Sequence, residues 1–169
     1  MMDEKVRNLA QPIRLAVFDV DGVFTNGELI IGADGEVAKI FHAHDGMGIK
    51  RLMAAGIHIA IITARQSAIV DTRMRELGVT DVFQGQHDKS AAMQQLLSAH
   101  HYTTEQIAYT GDDLPDLAAM QHAGFKIAVA NATAPVKHVA DFVTAQAGGH
   151  GAVREISDLI LQAQDHAAR

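Results

Sequence analysis

The sequence predicts an α/β fold with a mostly parallel sheet, and three observations carry that prediction. Short apolar runs alternate with longer stretches of helical period, the pattern of successive strand-and-helix units. The strand candidates are nearly continuous in apolar character, as strands covered on both faces are. Acidic and hydroxyl residues follow several of these runs directly, at the edge where parallel sheets keep their sites.

Taken in order, the first strand is Leu15–Phe18. Glu28-Leu29-Ile30-Ile31 and Val37-Ala38-Lys39-Ile40-Phe41 then flank Gly32-Ala33-Asp34-Gly35, and Asp-Gly marks a tight turn, so residues 27–41 read as a β-hairpin projecting from the C-terminal edge of the sheet. A helix from about Gly46 to Ala55 and a strand Ile57–Ile62 follow. Next come a helix Ser67–Leu77, a strand Val82–Phe83, a helix Lys89–His100, a strand Ile107–Tyr109 and a helix Pro115–His122. Gly56, Gly78 and Gly124 stand where three of these helices would stop. The remaining strands are Ile127–Val129 and Phe142–Val143. The last helix, Ala152–Gln164, is preceded by Ala147-Gly148-Gly149-His150-Gly151, either a mobile loop or the helix lead-in, in a C-terminal region of about 147–165. No repeat or linker interrupts residues 1–169, which read as one domain.

Fourteen Lys and Arg against twenty Asp and Glu give a net charge of −6, which excludes general binding to a phosphate backbone or an anionic membrane surface. With 48% hydrophobic and 20% charged residues, the composition is that of a globular chain. Cysteine is absent, so disulfides, thiolate nucleophiles and cysteine-held zinc are excluded, and a reducing compartment fits. The N-terminus lacks a signal-like apolar stretch, and the longest apolar run, near Ile57–Ala64, is broken by His58; a cytoplasmic location is expected.

The first strand ends in Val17-Phe18-Asp19-Val20-Asp21-Gly22. Two carboxylates one residue apart on an extended chain point the same way, and at a buried strand end they call for a cation, for which Mg²⁺ is a hard oxygen-seeking partner. Read alone, the motif is equally a turn whose acids cap backbone N–H groups. A second cluster, Gly111-Asp112-Asp113 with Asp116 beyond it, follows the strand Ile107–Tyr109, while Thr63 ends Ile57–Ile62 and Lys89 opens its helix. Each has a bland reading: a helix cap for the acids, a strand-end hydroxyl for Thr63, a solvated lysine for Lys89. Two acidic strand ends meeting in a parallel sheet would instead make an Mg²⁺ site with room for a phosphate.

The order DxD, Thr, Lys, GDD resembles the four-motif signature of the haloacid dehalogenase (HAD) superfamily of phosphohydrolases, matching at Asp19, Asp21, Thr63, Lys89 and Asp112. The resemblance implies a Rossmannoid three-layer fold and Mg²⁺ held by the carboxylates of Asp19 and Asp112 and the backbone carbonyl of Asp21. Asp19, ionised at neutral pH, would attack phosphorus to form an aspartyl-phosphate, with Asp21 as general acid and then base. Thr63 and Lys89 would hold the transferring group, and Asp113 and Asp116 would orient the metal site. The stretches from Asp21 to Thr63 and from Thr63 to Lys89 are already filled by predicted elements, so neither holds a cap domain of about 50 residues.

A closer resemblance is to the uncapped 3-deoxy-D-manno-octulosonate 8-phosphate (KDO 8-phosphate) phosphatases of lipopolysaccharide synthesis. It rests on Asp19-Val20-Asp21-Gly22-Val23, Asp45-Gly46-Met47-Gly48-Ile49-Lys50, Ile61-Ile62-Thr63-Ala64-Arg65, Gln84-Gly85-Gln86 and Gly148-Gly149-His150-Gly151-Ala152-Val153-Arg154-Glu155. It implies that Asp21, His42, Ala43, His44, Asp45, Gly46, Lys50, Arg65, Arg73 and Lys89 line the sugar-acid phosphate site, cations suiting both a carboxylate and a phosphate. His42 stands where relatives show Asn, His44 where they often show Arg, and His150 where they show Lys or Arg. The alternatives are a phosphatase for a nine-carbon sugar-acid 9-phosphate, a phospho-accepting receiver domain, whose motif order differs, and an inactive scaffold. The resemblance also implies a homotetramer, and apolar residues on both faces of the hairpin give a physical reason for self-association.

Overall fold

The computed structural model describes residues 2–167, with side chains placed through Asp165. Its centre is β1 (Leu15–Phe18), whose four residues are all buried. Successive side chains of a strand point to opposite faces, so complete burial means that both faces of the sheet are covered. β1 lies between β4 (His58–Ile62) and β6 (Ile107–Gly111) in a wholly parallel sheet of order β5-β4-β1-β6-β7-β8. β5 (Asp81–Phe83) forms one edge, and β7 (Phe125–Ala128) and β8 (Phe142–Val143) extend the other. The chain builds outward from β1 in both directions, so the C-terminal end of β1 is the crevice where such sheets bind ligands.

The helices α2 (Ala43–Ala54), α3 (Ala68–Leu77), α4 (Lys89–Ala99) and α7 (Ala152–Ala167) stand near their expected places. Ser67 and Asp88 cap α3 and α4 by accepting from the backbone N–H of Val70 and Ala91. Gly56 and Gly78 adopt φ of 82° and 86°, the left-handed turn that ends a helix. Gly124 works differently. It does not end a helix in a left-handed turn, but donates from its N–H to the Thr104 carbonyl at 2.8 Å, where a side chain would meet that oxygen.

The α2 helix starts three residues earlier than the sequence indicates, with His42 as its cap. Its poor helix formers Gly46 and Gly48 are retained for packing: a Cβ on Gly48 would lie 2.7 Å from Ser157 Oγ, where α2 crosses α7. The expected helix Pro115–His122 is a 3₁₀ turn, Leu114–Asp116, running into the short α5 (Leu117–Met120). Two helices have no counterpart in the sequence reading: α1 (Glu4–Ala10), capped by Asp3, and α6 (Ala134–Val139). With two and one buried residues respectively, neither is long enough to show a helical period. The hairpin strands β2 (Ile30–Gly32) and β3 (Gly35–Ala38) pair antiparallel around Ala33-Asp34, and no cap domain interrupts the chain between β1 and β4.

Candidate active site

Four strand ends deliver the site. The backbone N–H of Asp19 donates to the Thr110 carbonyl at 3.1 Å, which continues the β1–β6 ladder one residue and fixes Asp19 at the sheet edge. Asp19 is 6% exposed and its carboxylate lies 2.8 Å from Lys89 Nζ. Lys89 is bracketed from the other side by Asp116 at 2.7 Å. Thr63, 2% exposed, follows β4, with its N–H on the Phe83 carbonyl and its own carbonyl accepting from Gln86. Asp19, Asp21, Thr63, Arg65, Lys89, Asp112, Asp113 and Asp116 all border one cavity of about 260 Å³.

Asp116 is completely buried and all its acceptor capacity faces protein. One oxygen receives Lys89 and the Tyr109 hydroxyl; the other receives the backbone N–H groups of Asp112 and Asp113. It therefore shapes the Gly111–Asp113 turn and holds Lys89. Asp113 is exposed and caps the following 3₁₀ turn by accepting from Leu114 N–H. Asp112 receives no side-chain hydrogen bond among the described residues, which leaves its oxygens open to the cavity.

The charge balance shows what the cluster lacks. Burial, with the Asp116 charge beside it, pushes Asp19 up to about 6 although Lys89 pulls it down. Burial and the charges of Asp19 and Asp116 push Asp112 up to about 7. The burial of Lys89 works against its charge, but Asp19 and Asp116 outweigh that and hold it above its usual value. One lysine among three carboxylates leaves negative charge uncompensated. The ligating oxygens of Asp19, Asp112 and Asp116 fall within 4.8 Å of one another, and Asp19 and Asp112 keep lone pairs free, so this hard-oxygen set fits a divalent cation.

Two supports of the site escaped the sequence reading. Lys39, its side chain only 2% exposed, reaches from the end of the hairpin to Asp21 and also pairs with Glu36 at 2.8 Å. Glu36 in turn accepts from the Ser67 hydroxyl, and Arg65 Nε lies 3.9 Å from the other Asp21 oxygen. The signal was present as a charged Glu36 and Lys39 in an otherwise apolar ribbon. The second support is the glycine-rich segment, which is packed and not free. Gly148 donates to Asn131 Oδ1 and Gly149 to the Val23 carbonyl at 3.1 Å, while Asn131 Nδ2 donates to the Gly22 carbonyl at 3.0 Å. A Cβ on Gly148 would lie 1.8 Å from that same carbonyl, so only glycine permits this contact with the Asp21-Gly22 turn.

A family model for haloacid dehalogenase-like hydrolases matches residues 74–156. The chain is 44% identical over 163 residues to the KDO 8-phosphate phosphatase of Yersinia pestis, covering 96% of this chain and 87% of that one. It is equally 44% identical over 163 residues to the enzyme of Haemophilus influenzae, covering 96% and 88%. This chain belongs to the KDO 8-phosphate phosphatase family. The Moraxella catarrhalis phosphatase, solved with magnesium ion, phosphate ion and KDO, superposes with a TM-score of 0.93 at 42% identity, covering 98% of this chain and 95% of that one. These relatives are phosphatases of one substrate, so neither a receiver domain nor a nine-carbon specificity is favoured.

The family resemblance assigned ten residues to the sugar-acid site, and a single chain gathers only three of them, Asp21, Arg65 and Lys89, at the catalytic cavity. Arg73 stands on α3 beside Phe41, 5.9 Å from its ring, and pairs with Glu76; it fills the space where Gly46 has no side chain. Asp45 is 1% exposed and accepts from Arg154 N–H at the start of α7, acting as a cap for that helix; its other oxygen has no partner among the described residues. His42 and His44 border a separate depression with His150 and Arg154. Ala43 and Lys50 are exposed on α2, away from the catalytic cavity.

Proposed function

We propose that the chain removes phosphate from KDO 8-phosphate, giving KDO and inorganic phosphate, with Mg²⁺ as cofactor, in cytoplasmic lipopolysaccharide precursor synthesis. The observation that carries the chemistry is the convergence of Asp19, Lys89 and Asp112 on one cavity, with Asp21 held two residues from Asp19. Asp19 and Asp112, with the Asp21 carbonyl, would hold Mg²⁺, which supplies the positive charge that lets a phosphate dianion approach these carboxylates. Asp19 is the nucleophile: largely ionised at neutral pH, it needs no base, and its attack on phosphorus yields an aspartyl-phosphate. Asp21 protonates the leaving sugar alkoxide, then takes a proton from the water that hydrolyses the aspartyl-phosphate. Lys89 and Thr63 hold phosphoryl oxygens, and Arg65 stands beside Asp21 on the substrate side.

The active form is a homotetramer in which a second copy brings His42, Ala43, His44 and Lys50 towards the sugar end, while Asp45, Gly46 and Arg73 shape that segment from behind. Two observations support this: those residues lie off the catalytic cavity of their own chain, and the hairpin exposes Ile31 at 57% and Val37 at 62%. No helix among the described residues is long and apolar enough to cross a membrane. Phosphate release measured with Mg²⁺ against KDO 8-phosphate, a nine-carbon sugar-acid 9-phosphate and simple sugar phosphates tests the substrate. The expected result is clear preference for KDO 8-phosphate, and a several-fold preference for the nine-carbon acid would overturn it. Asp19→Asn should lower turnover by about a hundredfold or more, since it retains shape and removes the nucleophile.

A further inference from the structure

At the opposite edge of the sheet from the catalytic cavity, three side chains from distant parts of the chain meet. His58 is the first residue of β4, Asp81 the first of β5, and His100 follows the last turn of α4. Asp81 pairs in register with Ala60, which shares a strand face with His58, so the two side chains stand on one face of the sheet. His58 Nε2 lies 2.5 Å from Asp81 Oδ2, and His100 Nε2 lies 3.2 Å from the same oxygen. All three are partly exposed, which gives a cation access from solvent. Thr63 lies five residues beyond His58, roughly 16 Å along the strand.

We propose that His58, Asp81 and His100 form a second metal site, one for a transition cation of the zinc class. Two borderline imidazole nitrogens beside one carboxylate make a donor set that favours Zn²⁺ over Mg²⁺, the reverse of the all-carboxylate catalytic cluster. One ligand atom from each residue lies within 4.8 Å of the other two. Around a tetrahedral ion with bonds of about 2.0–2.1 Å, ligand atoms sit about 3.3 Å apart, so His100 and Asp81 are already spaced for it. The His58–Asp81 contact must open by under about 1 Å, the two imidazole nitrogens lie within 4.8 Å of each other, and water takes the fourth position. The support outside the ligands is also present. His58 Nδ1 lies 3.2 Å from the Tyr102 hydroxyl; when Nδ1–H donates there, Nε2 turns its lone pair to the site. The carbonyl end of α4, eleven residues long with no basic side chain in its last turn, adds a field that favours a cation. Such an ion ties the three-residue edge strand β5 to β4 and α4.

The test is a calorimetric titration of ZnCl₂ into the full chain kept in excess Mg²⁺, with the melting temperature followed in parallel. One zinc per chain should bind in the micromolar range and raise the melting temperature. His100→Gln, at a partly exposed helix end, should weaken binding about tenfold or more and leave Mg²⁺-dependent phosphatase turnover unchanged. Asp112→Asn should leave zinc binding intact. No binding up to millimolar Zn²⁺, or binding that survives His100→Gln and vanishes in Asp112→Asn, would overturn the proposal; the latter result puts the zinc in the catalytic cavity.

Discussion

At Asp21, the proposed acid and base, the protein supplies a cation from a residue 18 positions along the chain. Lys39 is buried between Asp21 and Glu36, so it fixes the Asp21 carboxylate beside Asp19 while Glu36 holds the lysine in place. Lys39→Met keeps the length of the side chain and leaves two carboxylates facing each other without their shared charge. Turnover of a sugar phosphate, whose alkoxide needs a proton, should fall by about 10²-fold. Turnover of p-nitrophenyl phosphate, whose leaving group is stable unprotonated, should fall much less, and Lys39→Arg should recover part of the loss. Equal losses on both substrates would place Lys39 in structural support alone. Asp112 and Asp19 carry a separate, pH-dependent consequence. Their folded pKa values, about 7 and about 6, lie above the ordinary value of 3.8. Without metal the folded state therefore takes up protons as pH falls through 7 and 6, and it gains stability from these two groups on acidification. Mg²⁺ must displace those protons, so the rise in melting temperature that it produces should shrink steadily from about pH 8 to pH 5. An increment that is constant or grows towards acid would show that neither carboxylate binds the ion.

Among the elements, the glycine-rich segment before α7 acts as a brace. Its two ends are tied: Glu155 at the start of α7 accepts from the N–H groups of Ala145 and Gln146, and Gly148 and Gly149 meet the turn that follows Asp21. Gly148→Ala would push a methyl into the Gly22 carbonyl, a clash that can be relieved only by moving backbone. The expected cost is about 1–3 kcal/mol of stability by urea unfolding, together with reduced turnover, because the displaced turn carries Asp21. Wild-type stability and activity in that variant would mean that the segment is free to move.

For the whole molecule, the hairpin has two unlike sides. Glu36 and Lys39 face the site, while Ile31, Val37 and Ile40 are 57%, 62% and 67% exposed. A two-stranded ribbon is marginal in water, and an apolar surface of this kind calls for cover by another chain. Because the same ribbon positions Asp21, the proposed assembly would couple to catalysis. Val37→Asp, on the outer side, should shift the protein towards monomer in sedimentation at micromolar concentration and raise KM for the sugar phosphate. A wild-type protein that sediments as a monomer at that concentration would exclude the tetramer.

How much of this was legible beforehand follows from the range of the interactions. β1, β4 and β6 could be read because burial forces a continuous apolar run, and Asp19, Thr63 and Asp112 could be read because each directly follows its strand; Lys89, separated from β5 by five residues, could be read from its place at the start of α4. Gly56 and Gly78 were equally local, since a left-handed helix end is a property of one residue. Gly124 and Gly148 show the limit: each is needed for a backbone approach to a distant segment, Thr104 in one case and Gly22 in the other, and nothing nearby in sequence marks it. Lys39 reaching Asp21, Asp45 capping α7, and His58 meeting Asp81 and His100 belong to the same class. The chemistry at the strand ends was therefore determined by short-range pattern. Its orientation, its bracing and the second histidine cluster were decided only when the sheet order and helix packing brought remote side chains within bonding distance.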